Sequence, residues 1–352
     1  MSSDPISRRA FGALSAATAA AWAPAVRAAL PGADATAARL TVAMGPRSAF
    51  VFRHLPTTLA LQLGFFADEG VELAIETFAS DALALRAMHA GAADVCATDF
   101  EQLLRTPGDA PLARAFVLQG RAPQAALGVS AKSLPHFTAL SDLRQRKVGV
   151  AALGSLSHTT ARLALAQAGL GPGDVSLVAV GEGRSAAAAL RAGRVQALCH
   201  GDPLMALLEQ RGDVRIVSDA RTLRGAQALF GGSVPGGCLV APAAFLQKRA
   251  PEAQALANGV VHALKWLQTA APADLVKAVP PQDLGADRSL YLAAFARARE
   301  TISPDGVMPL DAPATALRAL LLAEPGRSRQ RVDVQRWVAP EFARKAKQKF
   351  SA

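Results

Sequence analysis

Short apolar runs alternate with helix-length segments along this chain, and the alternation runs through twice. Residues 40–45 read as a buried strand, residues 55–68 as a helix stopped by Gly70, and residues 71–78 as a strand. Ser80 and Asp81 then cap a helix running to Ala90, ended by Gly91. Residues 94–98 and 112–118 read as further strands, with Asp99 capping a short helix between them. After Gly120-Arg121-Ala122-Pro123 the pattern restarts. Strands are expected at 127–130, 147–151, 175–180, 195–199 and 214–217, with helices at 155–168, 185–192 and 203–210. Such alternation predicts an α/β fold with mostly parallel sheets and helices on their faces. Residues 230–237 read as a flexible Gly/Pro link, and from Pro242 onward the pattern is nearly all helix, broken by prolines. Those helices are expected to pack on the first unit. The chain then crosses between two lobes twice, at a hinge, and ligands belong outside the carboxyl ends of the strands. The expected boundaries are residues 36–122 and 236–352 for lobe I and 123–235 for lobe II.

With 51 % hydrophobic and 19 % charged residues, the 352-residue chain buries a full core, which excludes disorder as its dominant state. The net charge of +10 suggests nucleic acid until it is located. Eight basic residues beyond position 326, set against Asp333 and Glu341, supply six of those charges. The body is close to balanced, aromatic residues make up 5 %, and no zinc-finger spacing occurs, so no nucleic-acid partner is expected. The basic tail reads as a solvated helix end.

Ser7-Arg8-Arg9-Ala10-Phe11 is a twin-arginine pattern, followed by a weakly apolar stretch to Ala25. Val26-Arg27-Ala28, or Ala33-Asp34-Ala35, offers small residues for a cleavage site. Residues 1–35 are therefore expected to be a signal peptide, removed after export of the folded chain to a bacterial periplasm. Cys96, Cys199 and Cys238 each sit in an apolar run and read as buried, inert thiols.

Several segments together carry a family resemblance. They are Leu63-Gly64-Phe65-Phe66-Ala67-Asp68-Glu69-Gly70-Val71-Glu72-Leu73, Ala90-Gly91-Ala92-Ala93-Asp94-Val95, and Leu140-Ser141-Asp142-Leu143-Arg144 with Lys147-Val148-Gly149-Val150. Gly154-Ser155 opening a helix and Gly201-Asp202-Pro203 after a strand complete the set. In this order and spacing, across about residues 38–345, the chain resembles the nitrate/sulfonate/taurine branch of periplasmic solute-binding proteins of ABC importers. That branch also includes binders of thiamine-precursor pyrimidines. The resemblance implies a two-lobed periplasmic-binding-protein fold of type II, a small-molecule ligand, an ABC permease as partner, a monomer, no cofactor, no metal and no catalysis.

Three groups of residues are candidates for holding the ligand. Gly154, Ser155, Ser157, His158 and Thr159 open a helix after a strand, where free N–H groups and hydroxyls suit an anion. The plain alternative is an ordinary serine cap. The loop after the first strand carries Arg47, Ser48, Phe50, Phe52, Arg53 and His54: an arginine for an acidic head and an aromatic for an apolar part, or else surface and core residues. The strand ends add Thr98, Asp99 and Phe100; Gln119 and Arg121; Glu182 and Arg184; His200 and Asp202. Each of these is equally a cap or hinge residue, and Asp99 or Asp202 could instead meet a ligand amine. Gly232 is expected at the return crossing, touching the ligand through its backbone. The expected ligand is a small organic anion, with a neutral heterocycle as the alternative.

Two other chemistries are weaker. Gly181-Glu182-Gly183-Arg184-Ser185-Ala186, with Asp202 downstream, mimics a dinucleotide fingerprint, but on too short a helix. Ser155, His158 and Asp202 could form a triad, yet there is no Gly-x-Ser-x-Gly elbow.

Overall fold

The computed structural model describes residues 37–46, 52–106, 112–326 and 333–351. The first sheet holds β1 (Ala38–Met44), β2 (Val71–Thr77), β3 (Val95–Asp99), β4 (Ala113–Leu118) and β10 (Gly237–Pro242), in the order β2-β1-β3-β10-β4. The second holds β5 (Ala125–Ser130), β6 (Lys147–Val150), β7 (Ser176–Ala179), β8 (Ala197–Gly201) and β9 (Val214–Asp219), in the order β7-β6-β8-β5-β9. β1 runs parallel to both β2 and β3, while β10 is antiparallel to both β3 and β4. The second sheet repeats this with β5 as its reversed strand. Four of the five strands in each sheet thus run one way, and the reversed one is the strand that follows a crossing. The two-lobed α/β architecture expected from the sequence is borne out.

Helices cover both faces of each sheet, which is why the inner strands are continuous apolar runs. On the first sheet, α1 (Leu55–Gln62), α8 (Ala243–Lys248), α9 (Ala250–Thr269), α10 (Pro272–Ala278), α11 (Pro281–Leu284), α12 (Arg288–Ala298) and α14 (Pro340–Lys349) contribute to one core. Leu59, Leu256, Val260, Tyr291 and Phe342 are buried there. The opposite face buries Leu85 and Met88 of α2 (Asp81–His89) and Leu103 of α3 (Phe100–Arg105). On the second sheet, α4 (Leu156–Gln167) and α7 (Leu223–Phe230) close one core, and α5 (Gly183–Arg191) and α6 (Leu204–Gln210) the other. α13 (Ala312–Ala323) divides its packing: Ala316 and Leu320 enter a lobe I core, and Ala319 enters a lobe II core. That differs from the expectation of C-terminal helices resting on the first lobe alone. In α14, Phe342, Ala343 and Ala346 face inward, Lys347 pairs with Asp305, and Lys349 with Glu69.

Other differences have local causes. The first helix ends at Gln62 instead of 68, because Gly64 turns the chain at a φ of 78°. The Gly/Pro-rich stretch read as a link is irregular over residues 231–236, but it joins two elements not expected from the sequence: α7, capped by the Thr222 hydroxyl and ended by Gly231, and β10, buried between β3 and β4 in the first sheet. Three adjacent segments meet where the chain crosses between the sheets, at the expected hinge. Gln119 and Gly120 donate to the Gly237 carbonyl, Gly236 donates to the Gly120 carbonyl, and Ser303 donates to the Gln119 carbonyl. Cys96, Cys199 and Cys238 are free and buried, and burial pushes each thiol upward, as their apolar settings implied. The twin-arginine segment lies outside the described residues.

Candidate functional site

The carboxyl ends of the strands in both sheets frame an interlobe cavity of about 240 Å³. Lobe I supplies Pro46 after β1, Ser80 and Asp81 after β2, Gln102 of α3, and Arg53. Lobe II supplies Ala152, Leu153, Gly154 and Ser155 after β6, and Gly181 and Glu182 after β7.

Arg53 dominates the lobe I wall. It is 4 % exposed, and its guanidinium is already engaged. Nη1 donates to Asp81 Oδ2 at 3.0 Å and to Asp99 Oδ2 at 2.6 Å, and Nη2 donates to Asp81 Oδ1 at 3.1 Å. Gly45 makes room for this: a Cβ there would lie 2.0 Å from Asp81 Oδ1. Burial works against the Arg53 charge, but Asp81, Asp99 and Glu182 outweigh it and hold the group above its ordinary range. Burial likewise pushes the Asp99 carboxyl upward, while Arg53 pulls it back. Asp99 makes no side-chain cap to α3, contrary to its sequence reading, because its carboxylate turns to Arg53. Among the described residues, three carboxylates therefore surround one guanidinium.

On lobe II, Ser155 caps α4, accepting from the His158 N–H and donating to the Ala152 carbonyl at 2.7 Å. Ser157 is fully buried and accepts from the Ala151 N–H, so these hydroxyls serve their own loop. Gly154, at a φ of 77°, accepts from Gln102 Nε2 across the cleft at 2.9 Å. Behind it, Thr159 donates to Glu101 Oε1 at 3.0 Å and accepts from Arg105 Nη2 at 3.0 Å. Arg105 also pairs with Glu324. Burial pushes Glu101 up to about 7, against the opposing pull of Arg105. His158 is pushed down to about 4 by burial, with Arg162 and Arg105 adding to the effect. His200 is buried and accepts the Gly201 N–H at Nδ1, and its Nε2 lies 3.3 Å from Glu182 Oε2.

Of the residues singled out from the sequence, Gly154, Ser155 and Glu182 line this cavity together with Arg53. His200 stands behind Glu182, and Ser157 and Thr159 behind the helix start. Several others do not line it. Phe52 is core, edge-on to Tyr291 and Phe295 at 5.1 and 5.7 Å. Phe100 and Thr98 are fully buried around β3. His54 is buried and held well below its usual range by burial and Arg53. It accepts from Gln119 Nε2, while Gln119 Oε1 takes the Thr57 N–H and hydroxyl, so this pair ties α1 to the hinge. Arg121 donates to the Glu300 carbonyl at the hinge. Asp202 Oδ1 accepts from the Ala206 N–H and from Arg221, and the residue does not line the cavity beside Ser155. Gly232 lies against Thr315 of α13, away from the cavity, because α7 carries the chain there before it crosses back. Arg47, Ser48 and Phe50 lie outside the described residues.

Sequence reasoning missed Asp81 and Gln102, and took Arg53 for a free cation. Asp81 read as a helix start, and the only clue to its second role was Gly45 on the neighbouring strand end. Among the described residues no group of three His, Cys, Asp or Glu side chains is placed to hold a metal ion, and no helix is long and apolar enough to cross a membrane.

A search of curated proteins finds no significant match. Among solved structures, a protein of Bordetella bronchiseptica RB50 is 41 % identical, with a TM-score of 0.82, covering 90 % of this chain and 98 % of that one. The alkanesulfonate-binding protein SsuA of Xanthomonas axonopodis pv. citri, bound to MOPS, is 20 % identical with a TM-score of 0.62, over 86 % and 98 %. The desulfurization enzyme DszB is 19 % identical with a TM-score of 0.59, over 89 % and 99 %. The last two share the fold. A model of the NMT1-like family matches residues 41–279, well over half of the sequence, and on that match this chain belongs to the NMT1-like family.

Proposed function

We propose that the chain is the exported solute-binding component of an ABC import system. It closes its lobes on a small organic solute and delivers it to an inner-membrane permease, without making or breaking a bond. The observation that carries this reading is the polar cavity between two sheets joined by a three-segment hinge. The fold of DszB does not by itself separate binding from catalysis. The cavity's own groups favour binding: its two serine hydroxyls cap helices, Ser80 accepting the Leu83 N–H and Ser155 donating also to the Ala152 carbonyl, and the cysteines are buried with raised thiols.

For the solute, charge favours the neutral heterocycle over the organic anion. Arg53 is shared by Asp81 and Asp99 with Glu182 close by, so among the described residues an added anion would meet more carboxylate than guanidinium. A neutral ring with N–H and carbonyl groups can donate to Asp81 and Glu182 and accept from Gln102.

A thermal-shift panel of sulfonates, nitrate, aromatic carboxylates and pyrimidines, paired with small-angle scattering, tests this. A solute at a hundred times its Kd stabilises the native state by about 2.7 kcal/mol, a readable shift. Neutral heterocycles are expected to raise the melting temperature and compact the protein. A shift with anions alone refutes the neutral assignment, and no shift or compaction with any compound counts against the binding role.

A further inference from the structure

A second, larger chamber of about 900 Å³ adjoins the polar cavity. The two share Pro46 and Ala79, and both run along the same pair of segments, one after β2 and one after β7. On one side of these segments stand Ser80, Asp81, Gly181 and Glu182; on the other, Phe78, Gly183 and Ala187. β2 and β7 are the edge strands of their sheets, so the second chamber extends the cleft sideways, past the sheet edges. Its chemistry is different. Phe78 of lobe I, Ala187 of α5, Pro203, Leu204 and Leu207 at α6, and Leu290 of α12 make its walls mostly apolar, and Arg184, Arg191, Gln282 and Asp283 add polar groups to the lining. Both lobes contribute, as they do to the polar cavity.

Size decides what the pair of chambers suits. Pockets for drug-sized ligands run from about 300 to 1,000 Å³. The polar cavity falls below that range and suits a compact head group, whereas the apolar chamber is near its upper end. An apolar recess that opens off a polar ligand cavity, with walls from both lobes, is placed to receive the rest of the same molecule. We propose that the solute is amphipathic, with a compact polar head in the cavity and an alkyl or aryl arm of several carbons in the side chamber. This inference rests on the solute-binding reading above. It adds that affinity comes largely from the arm, so small hydrophilic solutes are poor ligands.

The test uses three homologous series: alkyl-substituted pyrimidines, alkanesulfonates and alkylammonium salts, each with chains of two to eight carbons, titrated calorimetrically into the purified protein. Full burial of one methylene corresponds to about a fourfold gain in affinity, and partial burial to about twofold. The expected result is a two- to fourfold fall in Kd per methylene, over at least four carbons, in whichever series binds. Ala188→Phe fills the chamber from an exposed position on α5 and is expected to flatten that slope while leaving the shortest binder unchanged. Leu207→Ser, which makes a wall polar, is the second variant and should halve the slope or more. Binding without chain-length dependence, or a slope that neither variant alters, overturns the inference and leaves the solute-binding reading intact. Failure of every series to bind at millimolar concentration, with unchanged scattering, overturns that reading and the inference with it.

Discussion

Glu101→Gln should remove a pH dependence that the fold builds into the contact between α3 and α4. Glu101 is 4 % exposed, accepts the Thr159 hydroxyl across the lobes and faces Arg105. Burial moves its carboxyl from the usual 4.5 to about 7. Between those values the native chain holds a proton that the unfolded chain has released. Stability from this group is therefore greatest at low pH and is lost as pH rises from about 4.5 through about 7, with no further change above. At about 1.4 kcal/mol per pH unit, the loss is on the order of 3 kcal/mol. Glutamine keeps an acceptor for Thr159 and does not titrate. Urea midpoints for both proteins at pH 5, 6, 7 and 8 give the measurement. His54 and His158, whose lowered values make the native chain lose stability as pH falls below the usual histidine range, titrate in both proteins and cancel in the difference. The wild type should lose its advantage over Glu101→Gln steadily across this range. A difference that stays flat would show that Glu101 is ionised throughout, and the burial argument would fail.

Three further outcomes are expected. In Gly236→Ala, the added methyl would lie 2.5 Å from the Ala122 carbonyl oxygen, forcing two hinge segments apart. A loss of about 1–3 kcal/mol and altered ligand-free scattering should follow, whereas an unchanged melting point would mean the hinge yields freely. Arg53→Met strands two buried carboxylates and should cost about 3–5 kcal/mol by urea unfolding. Adding Asp99→Asn should recover much of that loss, and a double variant as unstable as the single would refute the pairing. Ser155→Ala removes the α4 cap and should cost about 1 kcal/mol in the same assay, with no loss counting against the cap.

Much of the fold was legible from local signals. Ser80 caps α2 and Gly70 adopts the left-handed turn before β2, both as their residue types imply. β10 was not legible, because Gly236, Gly237 and Pro235 carry link chemistry and four apolar residues after them fit a strand or a helix equally well. Only insertion between β3 and β4 decides for the strand. Phe52 and Arg53 show the same limit in side chains. Adjacent in one loop, both fitted a ligand site, yet one ring points into the α12 core and the other group is taken by Asp81 and Asp99.

Sequence by itself determined the alternation of elements, the two lobes and the general location of ligand chemistry at strand ends, since periodicity, caps and glycine stops are local properties. It also located the excess positive charge beyond position 326. Only the tertiary structure brought three carboxylates, among the described residues, around the cleft arginine. Asp81, Asp99 and Glu182 reach Arg53 from three strand ends separated by 28, 46 and 129 positions, and no local pattern encodes that meeting. A buried guanidinium's availability depends on its neighbours in space, and that is why the solute proposed above is neutral where the sequence suggested an anion.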